Sequence, residues 1–213
     1  MSAKSARSQK PAVGTRPRVA RVVARKKTDR RIKIETRVTA AAWRAALPNL
    51  TRGASRAVRA ALDVAPPLPD EAAAELALIF ADDNAISTLN REWRGKNGPT
   101  NVLAFAAQES KGGARRQAAA PGAGPLLLGD VVLAFETIAR EAKAGDVTLG
   151  AHLSHLIVHG VLHLLGYDHR RPREARLMET LEARALATLG LANPYEAPPR
   201  EARMIWARRA MER

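Results

Sequence analysis

Residues 147–169, VTLGAHLSHLIVHGVLHLLGYDH, decide how the rest of the chain is read. From Val147 to Leu165 the stretch is apolar nearly all round, which marks a helix buried in a core rather than laid on a surface. All five histidines of the protein fall between His152 and His169. At 3.6 residues per turn, His152, His155, His159 and His163 share a stripe roughly 80° wide. His159 and His163 are one turn apart, so their rings can converge on a single ion. Gly166 can take the positive φ that ends a helix and reverses the chain, which brings His169 back over the same turn. The resulting HxxxHxxGxxH offers three neutral nitrogens and leaves a fourth tetrahedral position open, the ligand count of a catalytic zinc site. One zinc per chain is expected, and such an ion activates water and polarises a carbonyl or phosphoryl oxygen.

The neighbouring polar residues leave alternatives open. His155 with His159 also has ligand spacing, but nothing beyond them supplies a returning third ligand. His152 and His155 read either as residues lining the cleft and supporting the ligands or as ordinary core histidines. Asp168 either orients a ligand imidazole or caps its own turn. His155 and Asp168 are also candidates for touching substrate.

Working outward, Ile32 to Glu35 suits a short strand, and Thr39 to Val64 an Ala-rich helical stretch interrupted at Pro48. Leu76 to Phe80 reads as a buried strand. Asp82, Asp83 and Asn84 supply N-cap chemistry for a helix with Ile86, Leu89 and Trp93 at helical spacing, stopping at Gly95. Asn101 to Phe105 is a second buried strand, and a Gly-, Ala- and Pro-rich loop covers 107–125. Leu126 to Phe135 is a third apolar run, broken by Gly129 and Asp130, leading into a helix that ends near Gly145. Glu174 to Leu189 is a last amphipathic helix, with Leu177, Met178, Leu181, Ala185 and Leu189 on one face.

The charge is uneven. Of a formal +14, residues 1–31 carry eleven Lys or Arg against Asp29 alone, leaving 24 basic and 20 acidic residues for the remainder. The segment reads as a disordered basic arm, a solvated tail or a contact for RNA or the ribosome; residues 32–195 read as one domain and 196–213 as a tail. The arm has no apolar core of a secretory signal, and an organellar transit peptide fits it less well than a bacterial cytoplasmic protein. No apolar run approaches the roughly 20 residues that span a bilayer, so no membrane partner is expected. With no cysteine, any metal must sit on His, Asp or Glu.

The zinc pattern shares its His and Gly spacing with metzincin proteases, in which Glu follows the first His as general base. Here that slot is Gly160. The substrate is better sought at 89–105, LNREWRGKNGPTNVLAF, where Arg94 and Lys96 leave a helix end and enter a turn suited to phosphate. An arginine offers a two-pronged contact to phosphoryl oxygens and keeps its charge.

Together HGVLHLLGYDH at 159–169 and WRGKNGPTNVLAF at 93–105 resemble the two hallmark segments of the YbeY family, and LLLGDVVL at 126–133 and LEARALATLGLANPY at 181–195 are similar to further ones. The resemblance covers most of 75–195. It implies an α+β domain with a mixed sheet of about four strands packed with helices, and a zinc site on the long buried helix of the C-terminal half. It implies a metal-dependent endoribonuclease that cuts single-stranded RNA in 3′-end maturation of 16S rRNA and in ribosome quality control, with the small subunit or its assembly factors as partners. His159, His163 and His169 match that family's metal ligands and Arg94 its essential arginine, with Lys96 a candidate for substrate contact. Two other readings remain: a zinc-containing RNA-binding assembly factor with little catalysis, and a metallopeptidase-like hydrolase. The basic arm, the 107–125 loop and the tail exceed what a minimal member of the family needs.

Overall fold

The structure, a computed structural model, describes residues 32–66, 68, 73–107 and 124–196. The arm at 1–31, most of the 107–125 loop and the tail beyond residue 196 lie outside the described residues. The elements run β1 (Ile32–Val38), α1 (Ala42–Ala46), α2 (Leu50–Val64), β2 (Ala74–Ala81), α3 (Asp83–Arg94), β3 (Val102–Ala106), β4 (Leu126–Ala134), α4 (Phe135–Ala144), α5 (Leu149–Leu164) and α6 (Pro172–Thr188). The four strands form one mixed sheet in the order β1-β2-β4-β3, as expected for this α+β chain. β1, β2 and β4 are parallel, and β3 pairs antiparallel with β4 at the edge. Parallel neighbours need long crossovers, and α1 with α2, then α3 with β3, supply them.

One sheet face carries Leu76, Leu78, Phe80, Leu128, Val131 and Leu133 into the main core, beneath α2, α5 and α6. The other face is partly covered by α3, whose Ile86 and Leu89 meet Ile79, Leu103 and Val132. Helix α5 packs against α2, α4, α6, β3 and β4. Ala54, Ala57 and Ala61 put small side chains on the buried face of α2, which lets neighbouring helices approach closely. Trp43 pins α1 to the sheet: it is fully buried, donates from Nε1 to the Ala81 carbonyl at 2.9 Å and meets Phe80 and Phe135 edge-on.

Three expectations need correction. β4 is not broken at Gly129 and Asp130; it accommodates an extra residue, Leu128, opposite the Glu75–Leu76 step of β2 and continues to Ala134. The backbone there demands glycine. Gly129 has φ +124, and a Cβ would stand 2.0 Å from the Phe105 carbonyl oxygen. Trp93, grouped by periodicity with Ile86 and Leu89, is 70 % exposed, because at the last turn of α3 its ring meets Phe105 on the edge strand β3 instead of the interior of the sheet. Leu177 is likewise 54 % exposed, and Glu182 is fully buried on the apolar face of α6.

The close contact at Gly129 sets a clear expectation for stability. Gly129→Ala should lower unfolding free energy by more than about 2 kcal/mol, combining a positive-φ residue with a backbone collision. Gly53→Ala, in α2 with no atom near its added methyl, should raise it by up to about 1 kcal/mol. Denaturant melts of both variants check the pair; equal effects would contradict the close packing of β3 on β4.

Candidate metal centre

Helix α5 presents its histidines from a well-defined frame. Thr148 caps its start, accepting from the Ala151 amide at 3.2 Å. At the other end Tyr167 N–H donates to the Leu162 carbonyl and Gly166 N–H to that of His163, at 3.1 and 2.9 Å. This pair of bonds is the Schellman closure, which needs a left-handed residue, and Gly166 takes φ +88. The chain therefore reverses within one residue, and His169 comes back over the last turn of α5.

The three rings then meet. One ligand nitrogen from each of His159, His163 and His169 lies within 4.8 Å of the others. The Nε2 atoms of His159 and His163 are 3.1 Å apart. Two nitrogens on one tetrahedral zinc, each about 2.0–2.1 Å away, would sit about 3.4 Å apart, so the spacing suits an ion of that size. His159 and His163 are half-buried and His169 is exposed, which leaves one side open to solvent. Burial first, then the adjacent His159 and His169, pull the His163 pKa down from 6.5 to about 4, against smaller opposing effects of Asp168 and a backbone hydrogen bond at Tyr167. His163 is therefore neutral near pH 7, the form that binds metal.

Sequence reasoning missed the group that holds the cluster. Glu182 of α6 places one carboxylate oxygen 2.8 Å from His159 Nδ1 and the other 2.9 Å from His155 Nε2, and the Tyr195 hydroxyl donates to the second oxygen. A carboxylate can only accept here, so His159 carries its proton on Nδ1 and turns the Nε2 lone pair toward His163 and His169. Burial by itself pushes the Glu182 carboxyl up, but the hydrogen bonds donated by His155 and His159 and the electrostatic attraction of those rings hold it well below the usual carboxylate range. Burial and the Glu182 charge raise the Tyr195 hydroxyl above the usual phenol range, so it remains a donor. The one signal in the sequence was an acidic residue inside the Met178, Leu181, Ala185, Leu186 stripe, since a buried charge needs a partner.

The remaining candidates are placed as follows. His155 supports His159 through the shared Glu182. His152 is a core histidine, bonded to Glu141 at 2.9 Å, and Glu141 also accepts from Asn101 at the foot of β3. Asp168 caps its own turn: it accepts from the His169 amide at 2.8 Å and pairs with Arg170 at 3.1 Å. Arg94 is the last residue of α3 and Lys96 follows its Gly95 cap; both are exposed, and neither side chain has a partner among the described residues. Gly160 faces the sheet, where a Cβ would come 2.7 Å from Val131 Cγ1 and 3.6 Å from Val102 Cγ2. A carboxylate in that slot would run into β4 instead of the metal.

With this geometry in hand, likeness to known proteins is informative. Residues 37–190 match the family model described as Endoribonuclease YbeY. The chain is 49% identical over 164 residues to the Endoribonuclease YbeY of Paramagnetospirillum magneticum, covering 77% of this chain and 96% of the relative. It is 47% identical over 167 residues to that of Sphingopyxis alaskensis, covering 77% and 97%. A solution structure from Thermotoga maritima is similar at a TM-score of 0.44 and 19% identity, over 79% of this chain and 99% of that one.

Two outcomes follow from the cluster. Purified protein should carry about one transition metal per chain by elemental analysis, His163→Ala should lose most of it, and Glu182→Gln should weaken affinity about 10- to 100-fold, as is typical when a ligand's supporting carboxylate is removed. Full metal content in His163→Ala would contradict the ligand set. The metal-free protein should also lose stability as pH falls from about 6.5 to about 4. In that window the unfolded chain takes up a proton at His163 that the folded site refuses, so unfolding gains protons and stability rises with pH. Thermal melts across that range should show the slope, and His163→Ala should reduce it.

Proposed function

This chain belongs to the YbeY endoribonuclease family, and from that premise we propose that it cuts single-stranded RNA using a zinc ion held by His159, His163 and His169. The carrying observation is the three-histidine cluster with its Glu182-fixed tautomer, since the donor set is all imidazole and suits zinc in a chain without thiolates. When bound, the ion supplies Lewis-acid polarisation and water activation at the scissile phosphodiester.

The protein's own residues do the rest. Glu182 holds the His159 ring in its orientation, and His163 stays neutral. Arg94 is proposed to take the phosphoryl oxygens in its two-pronged guanidinium and to stabilise the charge that develops on them. Lys96, on the turn beyond, is proposed to meet a neighbouring backbone phosphate. The biological setting we propose is 3′-end maturation of 16S rRNA and ribosome quality control in the bacterial cytoplasm, alongside the small subunit or its assembly factors. The charge of the 1–31 arm favours such polyanionic partners. Among the described residues no single helix is long and apolar enough to cross a membrane.

A peptidase-like reading is disfavoured by Gly160, which replaces the expected base and points into the sheet. The reading as a zinc-containing assembly factor with little catalysis predicts RNA binding without turnover.

Single-turnover assays on single-stranded RNA and on a peptide library, with and without chelator, separate the three. RNA cleavage abolished by chelator and restored by zinc is expected, with peptides untouched. Arg94→Ala should slow RNA cleavage roughly a hundredfold or more with metal content unchanged. Arg94→Lys should recover only part, and Lys96→Ala should reduce the salt dependence of binding. Wild-type rates in Arg94→Ala with metal in place would remove Arg94 from the chemistry.

A further inference from the structure

Neither the three-histidine cluster nor a pair of surface cations can tell a single strand from a duplex, because both meet only phosphate. A group that reads unpaired bases must offer something a stacked duplex cannot reach. Trp93 is such a group. It sits in the last turn of α3, 70 % exposed, one residue before Arg94 and three before Lys96. Its ring is not loose: it meets Phe105 of β3 edge-on, with centroids 5.8 Å apart and planes at 65°, so one edge is anchored while much of the ring meets solvent. The backbone behind it is also fixed. Gly95 N–H and Lys96 N–H return to the carbonyls of Arg91 and Asn90, and the Asn90 amide holds the Gly98 carbonyl at 3.0 Å. Arg91, Glu92, Arg94 and Lys96 flank Trp93 along the same helix end and its cap, all exposed, and none of the three cations has a side-chain partner among the described residues.

An anchored, exposed indole on a helix end that also carries exposed cations has the chemistry of a base platform. Bases stack on an aromatic face while the adjacent phosphates meet the charges. A base inside a duplex has both faces occupied and cannot take this place, whereas a splayed base of a single strand can. Resting on the endoribonuclease reading above, we propose that Trp93 is a substrate-binding residue that stacks on an unpaired RNA base, and that this contact contributes the preference for single strands.

The test uses the full-length, zinc-loaded protein and two oligoribonucleotides of equal length and phosphate count, one with all its bases and one carrying abasic riboses. Half-saturating concentration and saturated single-turnover rate are measured for the wild type, Trp93→Ala and Trp93→Phe. The wild type should bind the base-bearing strand roughly tenfold more tightly than the abasic one, the scale of one stacked base. Trp93→Ala should lose that difference, with the loss falling on half-saturation far more than on the saturated rate. Trp93→Phe, which keeps an aromatic face and an edge toward Phe105, should retain most of it. A Trp93→Ala variant that preserves the difference, or that weakens both strands equally, overturns the stacking role while the nuclease reading stands. Wild-type protein that neither binds nor cuts either strand overturns that reading, and the stacking role with it.

Discussion

A single buried carboxylate joins the two halves of the site. Glu182 lies on α6, its hydrogen-bond partners His155 and His159 lie on α5, and Tyr195 reaches it from beyond the end of α6. Withdrawing an ionised carboxylate from water costs several kcal/mol, a cost offset only when its oxygens are fully engaged. Here both oxygens are. The packing of α6 on α5 is thereby tied to the proton position on His159, and the proton position decides where the Nε2 lone pair points. Fold stability and the geometry of the three-histidine cluster rest on the same contact.

The second constraint is the approach of α5 to the sheet. Gly160 lets the helix backbone settle against Val131 and Val102, and the same missing side chain takes away the position in which a related protease pattern keeps its base. The close helix–sheet contact and the absence of that carboxylate have one cause. On the proposed function, catalysis would draw on charge stabilisation and on the ion's own chemistry rather than on a glutamate next to His159, which fits phosphodiester cleavage better than peptide hydrolysis.

What the sequence showed plainly was local. Two histidines one turn apart and a third returning past Gly166 are set by helix period and one positive φ, both readable from the residue string. The buried character of α5 was equally plain, as were the Asp82 cap and the Gly95 stop of α3. Features that depend on a distant partner were not. Glu182 lies 23 residues from His159, and only helix packing makes them neighbours. The extra residue in β4 arises from its pairing with β2, so Gly129 and Asp130 read as a break. Trp93 shows a related limit: periodicity assigns a face to a residue but does not say where the covering sheet ends. The assignment of His155 and Asp168 turned on hydrogen bonds that spacing alone does not specify, whereas the fold class and the family were carried by short motifs.

The central claim is that three imidazoles and no other protein group hold the metal. X-ray absorption at the zinc edge on purified, zinc-loaded protein measures this directly. The account predicts a first shell with three imidazole nitrogens at about 2.0–2.1 Å and one further light atom not from imidazole. A shell with four imidazoles, which would bring His155 into the site, or with fewer than three, would contradict it.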